Sequence, residues 1–246
     1  MEASVTDSGE GSPLLLLHGW GASRKLFEHL VTHAQRDHRV VAPDLPGFGG
    51  TPPPDRPFCV DDYVGWVLSL MDARGLEKVD IVAHSFGARV AIKLAAAHHA
   101  RVSRLLLTGA AGVRPARGLR YRGRVAAFRT ARRLSHAGAL PAPLERRLAK
   151  ITANAGSPDY RQAVGVMRGT FVRVVNEDLR PFLPAVPHPV LLVWGEMDQE
   201  TPLSQGRVME QLLPNGVLVV LEGGGHFAYL EQGDRFARIM DAFLKE

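Results

Sequence analysis

The chain has 246 residues, 46% of them hydrophobic and 22% charged, and a formal net charge of +5. That length suits one α/β domain with a sizeable core, and no apolar run approaches the ~20 residues that cross a bilayer, which excludes a transmembrane segment. Cys59 is the single cysteine, so no internal disulfide can form, and residues 1–9 lack the basic and apolar stretches of a secretion signal; the expected location is cytoplasmic.

In chain order, apolar runs and turn residues predict strands over 3–6 and 14–18, a helix over 25–35 and a strand over 39–43. A proline-rich loop follows over 45–57, in which Pro52-Pro53-Pro54 reads as a stiff connection rather than a ligand for proline-binding modules. Next come a helix over 62–74, a strand over 79–83, a helix over 86–98 and a strand over 102–108. After a long insertion, strands over 189–194 and 217–221 each lead into a helix, the last ending at Leu244. Strands alternating with helices predict an α/β fold with a doubly wound, mostly parallel sheet.

The insertion changes the composition abruptly. Residues 112–186 hold fourteen Arg and Lys150 against four acidic residues, a surplus of eleven positive charges that leaves the rest of the chain at −6. Stretches 120–134 and 144–152 mix Arg with Leu, Val, Ala and Phe, the pattern of amphipathic cap helices with an apolar underside. The expected division is therefore 1–111 with 187–246 as the core and 112–186 as a helical cap. Phe128, Leu134, Leu140, Met167 and Phe171 are candidates either for an acyl pocket or for the interior of the cap. The arginines fit a solvated face that covers apolar surface, or a guide for anionic substrates or an anionic membrane surface. No nucleic-acid module or aromatic platform accompanies them, so no nucleic-acid partner is expected.

The pentapeptide Ala83-His84-Ser85-Phe86-Gly87 joins a strand to a helix. A serine at such a turn adopts strained backbone angles, and the positions two before and two after it must be small, as Ala83 and Gly87 are. The turn lifts the hydroxyl clear of the sheet at a helix N-terminus. An alcohol is a weak nucleophile near neutral pH, so it needs a histidine to take its proton and a carboxylate to orient that histidine.

The carboxylate is found after the strand over 189–194, in Gly195-Glu196-Met197-Asp198. Thr201 is expected to cap the helix opening at Pro202, which leaves Asp198 free for another role, with Glu196 the rival. Of ten histidines, His226 alone follows a strand after Asp198, within Glu222-Gly223-Gly224-Gly225-His226. His29 and His33 have helical i, i+4 spacing but lack a third ligand, so they read as surface residues and no metal site is expected. Leu17-His18-Gly19-Trp20-Gly21 runs from a strand into a loop. By position, the Trp20 and Phe86 backbone N–H groups are the candidate donors to an oxyanion.

These pieces, with Asp44-Leu45-Pro46-Gly47-Phe48-Gly49 after the third strand, resemble the α/β-hydrolase superfamily over nearly the whole chain. The resemblance implies a mostly parallel sheet with helices on both faces and a lid inserted after the strand that follows the nucleophile helix. It implies Ser85, His226 and Asp198 as a triad that hydrolyses a small to medium carboxylic ester through an acyl-enzyme, with no metal or organic cofactor. The expected partner is a small-molecule ester, with no stable membrane insertion, for a monomer or homodimer. Two alternatives stay open: a carbon-carbon bond hydrolase of ring-cleavage products, whose substrates are acidic, and a non-catalytic ligand receptor on the same fold.

Overall fold

The computed structural model describes residues 2–114, 119–137, 141, 143–147 and 157–245. The chain divides into two compact units, one formed by 1–114 with 163–246 and the other by 115–162.

The first unit holds a seven-stranded sheet in the order β1-β3-β2-β4-β5-β6-β7. The strands are β1 (Val5–Ser8), β2 (Ser12–Leu17), β3 (His38–Pro43), β4 (Val79–His84), β5 (Val102–Thr108), β6 (Val190–Gly195) and β7 (Gly216–Leu221). Only β1 runs antiparallel, pairing Val5 with Pro43 and Ser8 with Val40. That register sets β1 two residues later than the apolar pattern around Ala3 suggested, because its partner ends at Pro43. The other pairings are parallel, and their strands are apolar on both faces because helices cover both.

Side chains alternate across the sheet with period two. Leu14 and Leu16 join Val40, Val82, Leu106 and Val193 on one face, beneath α1 (Glu28–Ala34) and the C-terminal helices. Leu15 and Leu17 join Ile81, Ala83, Leu107, Leu192 and Trp194 on the other, beneath α2 (Val60–Ala73) and α3 (Phe86–Ala97). Each fully buried Leu contributes about 1.5–3 kcal/mol, so this double core is the main support of the sheet.

The helix expected over 25–35 is a 3-10 turn at Arg24–Phe27 followed by α1. The turn exists because the Asp44 carboxylate accepts both the Arg24 N–H and its guanidinium, each at 2.7 Å. His29 and His33 are half-buried ties rather than free surface residues. His29 contacts the Tyr229 carbonyl at 3.0 Å, and His33 contacts the Asp241 carboxylate at 2.9 Å.

In the second unit, α4 spans Leu119–His136, and Leu134 is exposed on it. Residues 143–147 are helical, whereas Leu140 and 148–152 lie outside the described residues. The short α5 (Pro158–Gln162) closes this unit, and α6 (Gly165–Asn176) belongs to the first, where it buries Met167 and Phe171. The remaining helices are α7 (Leu203–Leu212), α8 (Ala228–Glu231) and α9 (Gly233–Lys245). The segments after the carboxyl ends of β2, β4, β5, β6 and β7 carry Trp20, Ser85, Gly109, Asp198 and His226, and ligands of open parallel sheets bind at that edge.

Candidate active site

Ser85 sits between β4 and α3 with φ 50° and ψ −107°. It is the one non-glycine residue with positive φ among those described, a conformation that costs on the order of 1–3 kcal/mol. Neighbouring backbone holds it there. The Ser85 N–H donates to the Thr108 carbonyl and the Ala111 N–H donates to the Ser85 carbonyl, both at 3.1 Å. Gly19 brings the loop after β2 so close that a Cβ on it would lie 3.3 Å from Ser85 Cβ.

That loop is fixed by His18, whose burial lowers its pKa and keeps the ring neutral. Its Nδ1–H donates to the Gly19 carbonyl at 2.8 Å, and its Nε2 accepts the Leu45 N–H at 2.9 Å. Trp20, the next residue but one, packs edge-on against Phe48, Phe86 and Phe171, with ring centres 4.8, 5.4 and 5.1 Å away. An aromatic wall therefore stands beside the serine. Among the described residues the Trp20 N–H has no acceptor, and the N–H of Phe86, the first residue of α3, has no acceptor within the helix because residue 82 lies in β4.

Asp198 and His226 meet directly. His226 Nδ1 lies 2.8 Å from Asp198 Oδ2, and both side chains are almost entirely enclosed. Asp198 Oδ1 accepts the Glu200 and Thr201 N–H groups, each at 2.9 Å. Burial alone would raise the Asp198 pKa, but the bonds from His226 and the Thr201 N–H outweigh it, so the carboxyl titrates below its usual range and stays ionised.

Thr201 is not a helix cap: α7 begins at Leu203, with Pro202 before it and no side-chain cap. The Thr201 hydroxyl lies 2.8 Å from Asp198 Oδ2 and 3.3 Å from His226 Nδ1, bracing the pair. Gly109, at φ +50°, makes room for it, since a Cβ there would be 3.1 Å from His226 Nδ1. The rival acid, Glu196, instead accepts the Gly223 N–H at 3.1 Å.

The Ser85 hydroxyl makes no hydrogen bond among the described residues. His226 Nε2, the nitrogen left open by Asp198, faces Glu200 Oε2 at 3.5 Å. Neither Glu200 nor His84 was singled out by pattern. His84 packs at a tilt against the His226, Phe227 and Tyr229 rings, with centres 4.7, 5.0 and 4.9 Å away, and its Nε2–H donates to the His226 carbonyl at 3.1 Å. Among the described residues no three-residue cluster could hold a metal ion.

Complete burial, with His226 adjoining, lowers the His84 pKa from 6.5 to about 3. Between those values the unfolded chain binds a proton that the folded chain refuses. Stability is expected to fall as pH drops below ~6.5, by roughly 4 kcal/mol on reaching pH ~3, from this residue alone. Urea unfolding across that range should show a slope about one proton shallower for His84→Gln than for the natural chain; equal slopes would contradict the assignment.

Several known proteins are similar to this chain. The chain is 32% identical over 99% of its length to a 2-hydroxymuconate semialdehyde hydrolase from Pseudomonas putida, covering 90% of that protein. It is 29% identical over 94% of its length to a pimeloyl-[acyl-carrier protein] methyl ester esterase from Neisseria meningitidis, covering 92% of it. Its structure resembles a meta-cleavage product hydrolase from Pseudomonas fluorescens IP01 with a TM-score of 0.73 and 25% identity, over 99% of this chain and 94% of that one. The sequence pattern of the alpha/beta hydrolase fold matches residues 12–232, and the chain belongs to that family.

Proposed function

We propose that the chain hydrolyses small to medium carboxylic esters through an acyl-enzyme on Ser85. The observation that carries this reading is the His226 ring: Asp198 holds Nδ1 at 2.8 Å, which fixes the tautomer and leaves Nε2 as the base. Ser85 Oγ attacks the carbonyl carbon while His226 takes its proton. The Trp20 and Phe86 N–H groups receive the developing oxyanion, where one such donor is worth about 3–4 kcal/mol. His226 then protonates the leaving alcohol, and water, activated by the same nitrogen, releases the acid. Water is the only co-reactant, so the reaction needs no cofactor. The aromatic wall of Trp20, Phe48 and Phe171 favours an apolar acyl group.

A second reading is carbon-carbon bond hydrolysis of an acidic ring-cleavage product by the same triad, favoured by the likeness to the Pseudomonas putida hydrolase. Turnover of p-nitrophenyl esters from acetate to palmitate, with intact-mass detection of an acyl group on Ser85, tests the first reading. Activity with an optimum at short or medium chains is expected, and the optimum sizes the acyl pocket. No ester turnover by folded protein, together with cleavage of a 2-hydroxy-6-oxo-dienoate, would decide for the second. Binding without turnover of either class would make the chain a receptor.

A further inference from the structure

We propose that Glu200 selects the charge of the leaving group, favouring alcohols or thiols that carry a cation and rejecting those that carry an anion. The inference rests on the ester-hydrolase reading and names the class of ester.

The argument begins with what His226 Nε2 must do. It gives its proton to the leaving atom, so that atom sits within hydrogen-bond reach of it, about 3 Å. Glu200 Oε2 lies 3.5 Å from the same nitrogen. We therefore assign the carboxylate to the leaving-group side of the scissile bond and the wall of Trp20, Phe48 and Phe171 to the acyl side.

Glu200 cannot swing its main chain away, because its N–H is bonded to Asp198 Oδ1 at 2.9 Å, in the same turn that positions the triad acid. Its side chain is 66% exposed, and among the described residues its ion-pair partner is His226 and no Lys or Arg pairs with it, so no fixed cation neutralises its charge. The catalytic imidazolium feels this charge with every substrate, so that effect cancels when leaving groups are compared. A charge carried two or three bonds beyond the leaving atom lies some 5–7 Å from the carboxylate. At that range, after discounting for solvent, the interaction changes kcat/KM by about fivefold in each direction.

The test uses the S-butyryl thioesters of thiocholine, of its neutral neohexyl isostere and of mercaptopropionate. In each, a bond from Ser85 Oγ to the acyl carbon replaces the carbon-sulfur bond, and the serine proton leaves through His226 on the released thiol. The natural chain should show kcat/KM in the order cation, neutral, anion, with steps of about fivefold. Glu200→Gln should bring the three within about twofold, and Glu200→Lys should reverse the order. The natural order should also shrink near 1 M salt, where screening acts within about 3 Å. An order that persists in both variants, or an equal change in all three substrates on Glu200→Gln, would overturn the proposal; the latter would mean that Glu200 acts on the imidazole alone.

Methylphosphonothioates of the same three thiols separate this inference from the ester reading, since they label Ser85 without requiring deacylation. Labelling that follows the charge order and depends on Glu200, with no thioester turnover, sustains the role of Glu200 and overturns the ester reading. Thioester turnover without a charge order does the reverse.

Discussion

Ser85→Ala is expected to lower kcat on the best substrate by about 10⁵- to 10⁶-fold while leaving the fold intact. On the proposed mechanism, removal of the nucleophile disables the unit as a whole, and the residual rate over water comes from the oxyanion donors and from binding. Folding should not suffer. Among the described residues the Ser85 hydroxyl has no hydrogen-bond partner to lose, and the strain at φ 50° is the same for alanine. Thermal unfolding within a degree or two of the natural chain, beside the lost activity and the lost acyl adduct, is the signature to look for. Because the substitution removes a single oxygen and keeps the pocket's shape, substrate binding should persist. A fall of less than about tenfold would place the nucleophile elsewhere.

The same contrast between chemistry and support explains what could be read from sequence. The elbow was legible because strain at one residue forces small side chains at fixed offsets. That Asp198 and His226 would meet was legible because each follows an apolar strand of the parallel sheet, in the chain order that the family resemblance implies. The inner strands β2 to β6 were readable because strands buried on both faces are nearly continuous apolar runs, whereas the short, half-exposed β1 was read two residues early.

Thr201 was misread because Thr-Pro before a helix is also a capping pattern. Only the turn that brings the Thr201 N–H and hydroxyl onto Asp198 reveals its task. His84 lay inside the motif but served only as a spacer in pattern terms, since its contact with the His226 carbonyl spans 142 residues of sequence. Glu200 left no signal either, because its approach to His226 depends on how one loop folds back on another. Phe171 was open between two roles in sequence; in the structure it joins the wall around Trp20.

Gly87→Ala is the stability prediction with the largest effect, and its cause is steric. A Cβ at Gly87 would lie 2.1 Å from the Leu17 carbonyl oxygen, 2.6 Å from the Leu17 carbonyl carbon and 2.8 Å from the His18 oxygen. All three are backbone atoms at the end of β2, in mid-sheet between β3 and β4, so no side chain can turn aside to relieve the clash. To reach ordinary contact, α3 must lift from β2 by about 1 Å, yet its residues from Phe86 to Ala95 are buried. Overpacking against a close-packed interior that cannot yield is expected to cost on the order of 5 kcal/mol, enough to prevent folding of a marginally stable domain. Gly65 supplies the contrast: it is exposed within α2 and a Cβ there meets nothing within 4 Å. Gly65→Ala should therefore raise stability by about 0.5–1 kcal/mol through helix propensity. Urea unfolding of the two variants beside the natural chain checks both signs. If Gly87→Ala still folds, the displaced end of β2 should carry Trp20 away from Ser85, so activity should fall by far more than the unfolded fraction accounts for. A Gly87→Ala chain that is as stable and as active as the natural one would mean that the elbow does not press on β2, and the assignment of Trp20 as an oxyanion donor would fall with it.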